Sequence, residues 1–470
     1  MIIHYPGYYK KFRCLAGECP DTCCIGWEIT VDRETEKTYQ KLRKGKSELA
    51  ERLRRSVRRR LIIPDGDRCP FLAGDGLCDL CREYGEAAMT RTCRRYPRHV
   101  EDFGDIHEVE LLCSCPEAAR LILSEDFRLI TRNMSERKGN TDGIDEERLA
   151  LWFSVREQVF AMAGDRRMPL WARMRRILAF CHDVQGRLKR EDTAGVEALV
   201  ERAKETACRR NGADPVPDLI DGDKTGDHLQ TKEERMTERN VPGRLKEADH
   251  REKDWKKTND VYTPGKADMH NLEERFSLMA DFFAEFASLS PIGHGFPELL
   301  ERSRTFLYHS EDSRSLYEKR QQEFHRNVPE AEICTERLLF YFLYSFVMPG
   351  FYDGDLYTKA KMAVFGAVAA EELEMAEYFR DPGKYGKRTG DGRGNDAESV
   401  TSLENDEMVT ERSAKERISA LPHTAYLFAR QIENSAENRD LLEQLLKQPE
   451  FGIRRIIETK SWLQRCTKGT

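Results

Sequence analysis

MPLWARMRRILAFCHDVQGRL, residues 168–188, carries the repeat that decides the fold. Trp171, Met174, Ile177, Leu178, Cys181, Val184 and Leu188 recur at three- and four-residue steps, which lays one apolar stripe along one face of a helix. Pro169 stands where a fixed φ suits the first turn. The stripe reads as core, not as a cofactor-binding face. The same periodicity returns in NLEERFSLMADFFAEFASL (271–289), over 331–348, over 356–379 and over 420–465. No alternation of strand and helix announces a doubly wound nucleotide-binding sheet.

Between these segments the pattern lapses. Residues 209–268 are polar, charged and nearly free of apolar periodicity, which reads as a disordered insert. Residues 381–412 form a second, flexible insert; GDGRG within it is a flexible loop rather than a phosphate loop, because no strand leads into it. The expected fold class is therefore mainly α. A small Cys-rich metal-binding module (1–125) with short helices precedes a helical body (145–208 and 269–380), and a C-terminal helical segment (413–470) follows the second insert.

At 470 residues and a net charge of −6, nothing marks the whole chain as a nucleic-acid binder. SELAERLRRSVRRRLII (47–63) reads as one helix with six arginines between positions 52 and 60, and a solvated face explains it better than a nucleic-acid patch. The longest apolar run, LLFYFLYSFVM at 338–348, is too short to span a bilayer and reads as a buried helix. The opening MIIHYPGYYKKFRC has no apolar signal region, so a cytoplasmic location is expected.

Ten of the fourteen cysteines lie before residue 116. In CLAGECPDTCCIGW (14–27) they are Cys14, Cys19, Cys23 and Cys24; Cys69, Cys78, Cys81 and Cys93 follow, then Cys113 and Cys115. In a reducing compartment such a density points to metal ligands or redox groups rather than disulfides. Thiolates suit zinc and iron–sulfur clusters alike, because soft metals favour soft donors. Only Cys78 and Cys81 have the C-x2-C spacing of a zinc knuckle, and adjacent Cys23 and Cys24 cannot easily converge on one tetrahedral ion. The spacing favours an iron–sulfur cluster, with structural zinc as the alternative. Arg94, Arg95 and Arg98 in CRRYPRH (93–99) suit either an anionic ligand or the thiolate charge. Cys115, just before Pro116, falls at a helix N-terminus, where the dipole favours thiolate.

CPDTCCIGWEITVD (19–32), CPFLAGDGLCDL (69–80), TCRRYPRH (92–99) and SCPEAARLIL (114–123) resemble, in this order, the flagellin lysine-N-methylases and, more distantly, cysteine-cluster proteins described as zinc- or iron-chelating. FYDGDLY (351–357) and IENSAENRDLLEQLL near the C-terminus resemble that family's tail. The resemblance implies methyl transfer from S-adenosylmethionine to surface lysines of flagellin, with an iron–sulfur cluster of the [4Fe–4S] type taking part. It places metal ligands among Cys19, Cys23, Cys24, Cys69, Cys78, Cys93 and Cys115, with Cys14 beside them, and matches no family cysteine to Cys81 or Cys113. A four-ligand cluster leaves at least three of the seven for a second metal or for electron transfer. Flagellin is the implied partner, with neither nucleic acid nor membrane. No residue identifies itself in the sequence as the catalytic base, and no glycine-rich strand–loop–helix offers a donor site. A zinc-stabilised binding module without catalysis and an iron–sulfur redox protein are the alternatives.

Overall fold

The computed structural model describes residues 1–27, 29–134, 143–210, 220–222, 266–293, 295–309, 312–385, 421–453 and 455. In the N-terminal third the elements run β1 (Ile2–Pro6), β2 (Ile29–Thr30), α1 (Arg33–Leu42), α2 (Glu48–Ser56), β3 (Val57–Arg58) and β4 (Leu61–Ile62). Next come α3 (Asp79–Tyr84), α4 (Arg91–Arg95), β5 (Arg98–Phe103), β6 (Ile106–Leu111), α5 (Pro116–Ser124) and β7 (Leu129–Asn133). The rest is helical: α6 (Glu146–Ala163), α7 (Leu170–Leu188), α8 (Thr193–Arg210), α9 (Lys266–Phe286), α10 (Phe296–Tyr308), α11 (Ser313–Asn327) and α12 (Glu330–Val347). The turn α13 (Gly350–Asp353) and the helices α14 (Leu356–Arg380), α15 (Pro422–Glu433) and α16 (Ala436–Leu446) complete it, apart from a three-residue strand, β8 (Ile220–Gly222).

The mainly helical reading holds. The N-terminal third, whose first 125 residues read as a Cys-rich unit with short helices, also holds four strands of a five-stranded sheet of order β5-β6-β1-β7-β8. β1 runs parallel to β6, Ile2 opposite Ile106, and antiparallel to β7, Ile2 opposite Asn133. β5 and β6 form a hairpin from Arg98↔Leu111 to Phe103↔Ile106, turning at Gly104 with φ 74°. Buried Glu108 on β6 fastens this sheet to the helices: Arg156 of α6 places Nη1 2.5 Å from its carboxylate, and His4 Nδ1 lies at 3.0 Å. The Tyr344 hydroxyl of α12 donates to the His4 carbonyl at 3.1 Å.

The single arginine-rich helix expected over 47–63 ends at Ser56. Val57 and Ile62 then pair across a two-residue turn in which Arg59 (φ 49°) and Arg60 (φ 62°) both take left-handed backbone, as tight hairpins require. Arg60 repays that conformation with a hydrogen bond from its Nε to the Val31 carbonyl at 2.9 Å.

Two apolar cores result. The smaller gathers Ile29, Val31, Tyr39, Leu49, Leu53, Val57, Ile62, Phe71 and Leu80, with Cys69, Cys78, Cys93 and Trp27 packed on its edge. The larger joins the sheet and α5 to the helical body around α12 and α14. The α7 stripe behaves as read: Met174, Ile177, Leu178, Cys181 and Val184 are buried and Trp171 and Leu188 lie against them. α14 is buried from Leu356 to Tyr378 except at Tyr357. Gly366 lets it close on its neighbours, since a Cβ there would sit 3.1 Å from Phe342 and 3.3 Å from Phe428. Of the expected inserts, residues 211–219, 223–265 and 386–412 lie outside the described residues, and with them GDGRG; so do 413–420 of the expected C-terminal segment.

Candidate functional site

The thiols of the N-terminal third are brought together by backbone pairing and helix caps. Cys69 N–H donates to the Cys24 carbonyl at 2.7 Å and Gly26 N–H to the Asp67 carbonyl at 2.8 Å, so the loop of residues 23–27 lies along 65–69. Trp27 Nε1 closes that loop by donating to the Cys23 carbonyl at 2.7 Å. Cys78 is the N-cap residue of α3. Cys93 sits in the first turn of α4, whose cap is Thr90: its Oγ1 accepts from Cys93 N–H at 3.1 Å. Asp32 caps α1 and reaches across to take Arg91 N–H at 2.8 Å, which fixes α4 against α1. Against the cost of burial, these N–H donors and the Thr35 hydroxyl hold its carboxyl well below the usual range.

Of the eight cysteines expected as ligands, five form one group. The Cys24 sulfur is hydrogen-bonded to the Cys23 and Cys69 thiols and to Thr22, with Arg68 nearby, and these contacts lower its pKa. The thiols of Cys23 and Cys69, donating to it, are pushed up. One thiolate at Cys24 flanked by two thiols is the state this arrangement favours. Cys78 and Cys93 lie within electrostatic range of Cys24, and burial lifts Cys93 to about 11. Cys81 lies one helical turn on, beside Cys78.

The remaining three, Cys14, Cys19 and Cys115, form a second group, with Cys14 also in range of Cys23. Cys115 is the N-cap residue of α5 as expected, yet burial raises it to about 11, outweighing the pull of the Ala118 and Glu117 backbone N–H groups near it. Cys113 is fully buried behind this group, and its N–H donates to the Tyr341 hydroxyl at 2.9 Å. The cysteines from Cys14 to Cys181, with Cys334, twelve in all, are free thiols.

In donor type and number these thiols suit a thiophilic metal. In disposition, no three His, Cys, Asp or Glu side chains among the described residues surround a common point as ligands do.

Beside the thiols lies a polar cavity of about 260 Å³, lined by Pro20, Asp21, Ile25, Gly295, Arg302, His423, Tyr426 and Leu427. One wall is the cysteine loop and the other is α15 with the loop before α10. Gly26 permits the approach: its φ is +87°, and a Cβ there would sit 2.6 Å from Ile292 Cγ2 and 2.8 Å from Gly293 N. Gln431 holds the opposing loop through both backbone groups of Ile292, at 2.7 and 3.0 Å. Arg430, buried, clamps the loop from below: Nη1 donates to Asp21 Oδ2 at 2.7 Å and its guanidinium lies 5.4 Å from the Tyr426 ring centre. Arg302 lines the cavity and pairs with Glu377 at 2.8 Å. A larger, shallow groove of about 770 Å³ runs outward along α10 past Glu298, Glu301, Arg302 and Phe306. Asp21 sits inside the cysteine motif of residues 19–32, whereas His423, Tyr426 and Arg430 belong to no motif legible in the sequence and lie four hundred residues away on α15.

Residues 229–374 match the family described as the FliB lysine N-methylase C-terminal domain. Over 137 residues the chain is 28% identical to a lysine-N-methylase of Salmonella typhimurium, covering 26% of this chain and 32% of that protein. It is equally similar to the flagellar biosynthetic protein FliU of Salmonella muenchen, over 26% of this chain and 76% of that one. The match thus spans about a third of the length of the lysine-N-methylase relatives. No solved structure matches the chain.

Proposed function

We propose that this chain, akin to the flagellin lysine-N-methylases in its cysteine motifs and in its C-terminal match alike, is a protein-lysine methyltransferase of the cytoplasm. In this reading it takes methyl groups from S-adenosylmethionine and places them on surface lysines of flagellin. The observation that carries the proposal is the meeting of thiols and cavity: the same loop supplies Cys19, Cys23 and Cys24 to the sulfur groups and Pro20, Asp21 and Ile25 to the cavity wall. Among the described residues no helix is long and apolar enough to cross a membrane.

In this reading Cys23, Cys24, Cys69, Cys78 and Cys93 supply the ligands of an iron–sulfur cluster of the [4Fe–4S] type, with Cys14, Cys19 and Cys115 available to a second metal or to electron transfer. Such a cluster, when bound, supplies redox chemistry or a Lewis-acidic iron to the reaction. The protein's own residues position what approaches it. Arg430 and Gly26 hold the cysteine loop against α15, and Glu298 and Glu301 line the groove with the charge that attracts a lysine-bearing surface.

Metal and sulfide content of protein prepared without oxygen tests the reading. About four irons and four sulfides per chain support it, whereas colourless protein holding one or two zinc ions supports the zinc-stabilised binding module. Incubation with flagellin and donor labelled in its methyl group then separates an enzyme from a redox protein, since only the enzyme leaves label on lysine. Cys23→Ser and Cys24→Ser, and with them Cys19→Ser if its group also takes up metal, are expected to abolish metal loading, while Cys334→Ser, in the helical core, leaves it intact. Equal loss at both sets would mean that folding, not ligation, had been measured.

A further inference from the structure

A lysine side chain is an ammonium at neutral pH, with a pKa near 10.4, and has no lone pair to give until a proton leaves. The cavity beside the thiols contains a group built to take it. His423 lines the cavity from the first turn of α15 and is open to solvent on its other side. Its Nδ1 lies 3.2 Å from the Tyr426 hydroxyl. Near that phenol lies the Asp21 carboxylate, fixed by Arg430 Nη1 at 2.7 Å and by Thr22 N–H at 2.6 Å. In the tautomer that this role requires, the phenol oxygen accepts from Nδ1–H with its own proton turned toward the carboxylate, and the basic nitrogen of the imidazole is Nε2. The phenol then orients the imidazole, as a second hydrogen-bonding partner orients any catalytic histidine.

We infer that this cavity receives the side-chain amine of the substrate lysine and that His423 Nε2 accepts the amine's proton before methyl transfer. The inference rests on the methyltransferase reading and adds to it the amine pocket and a catalytic base. The step balances simply. The ammonium N–H bond breaks and its proton passes to Nε2, then from the exposed imidazole to water. The freed nitrogen lone pair forms a bond to the methyl carbon of the sulfonium donor, the carbon–sulfur bond breaks, and its electron pair stays on sulfur as a thioether. Arg302 lines the same space, paired with Glu377, and Asp21 lines it with its charge held by Arg430.

The surroundings of the imidazole agree. Burial of its inner side, with Lys384 and Arg302, keeps His423 below its usual pKa, while Glu377 and Asp21 pull the other way and Tyr426 faces it on the same helix. It is therefore neutral at pH 7 and able to accept a proton.

The test is the pH dependence of kcat/KM for methylation of flagellin by the intact, metal-loaded protein. With neutral His423 acting on protonated lysine, the wild-type profile is level from about pH 7 to about pH 10, between the two pKa values. His423→Gln is expected to lower kcat/KM about 10²- to 10⁴-fold at pH 7 and to convert the plateau into a tenfold rise per pH unit, as the lysine deprotonates in solution. Tyr426→Phe is expected to fall between the two. A readout free of turnover is the rate at which diethyl pyrocarbonate modifies His423, which saturating flagellin should slow. A plateau retained in His423→Gln, or a modification rate indifferent to flagellin, overturns the inference while leaving the methyltransferase reading in place. Wild-type protein that puts no label on lysine overturns the reading, and the inference falls with it.

Discussion

The thiol-bearing loops and the helical body solve the burial problem in opposite ways. Around α12 and α14 the apolar surface is large enough to enclose charges and still hold: Arg275, buried, meets Glu371 at 2.6 Å and Glu372 at 3.0 Å, and Arg173 meets Glu336 at 2.5 Å. Around Cys23 to Cys93 nine apolar side chains make up the core, and order comes from caps and cross-links at Asp32, Ser47, Thr90 and Trp27. A region with so small a core gains rigidity from such links more than from packing. The comparison teaches where substitutions should act on stability and where on the site.

The largest effect should come from the body. Arg275→Ala strands two buried carboxylates and is expected to cost about 3–5 kcal/mol, read as a fall in the urea midpoint. If it costs under 1 kcal/mol, the body is not the dense half of the pair. Next is a dependence on pH. Burial raises Glu374 to about 8, against the hydrogen bonds it accepts from Thr424 and Tyr385. The folded state thus keeps a proton that the unfolded chain releases near 4.5. That contribution is full below about 4.5 and is lost as pH rises toward 8, at no more than about 1.4 kcal/mol per pH unit. Glu374→Gln should flatten the decline, and an unchanged slope would assign it elsewhere.

Between the regions, Gly26→Ala places a Cβ against Ile292 and Gly293 at a left-handed φ. It is expected to cost about 1–3 kcal/mol and to free the cysteine loop from α15, seen as faster proteolysis near residue 26 with the helical signal preserved. The smallest effect belongs to the loops. Thr90→Ala removes the α4 cap and should cost about 1 kcal/mol, while Cys93 reacts more slowly with a thiol reagent, because the Thr90 hydroxyl works against burial to hold the Cys93 pKa down.

Most of the body was legible because its helices bury one face, and burial of a face leaves a period in the chain. α7 and α12 could be drawn from the apolar residues alone. The sheet left a fainter mark. RHVEDFGDIHEVEL spaces Val100, Phe103, Ile106 and Val109 three residues apart instead of alternating them, so the Gly104-Asp105 turn alone marked the hairpin. β1 offers five residues whose role depends on β6 and β7, over a hundred residues on. The turn at Arg59 and Arg60 carries neither glycine nor asparagine, so nothing local broke the helical reading of 47–63. At the site, cysteine density announced the sulfur groups, but not their split into Cys23, Cys24, Cys69, Cys78 and Cys93 on one side and Cys14, Cys19 and Cys115 on the other. His423 and Tyr426 gave no warning, because their chemistry depends on Asp21 and that meeting is a property of the folded chain.

The ion pair between Asp21 and Arg430 joins residues 409 positions apart. A ribosome adding about 5–20 residues per second needs about 20–80 s to make the second partner after the first. Throughout that interval the nascent cysteine loop lacks its lid. Oxidants would find the thiols before α15 exists to cover them, so the order of synthesis exposes these sulfurs for longer than the helices that close over them.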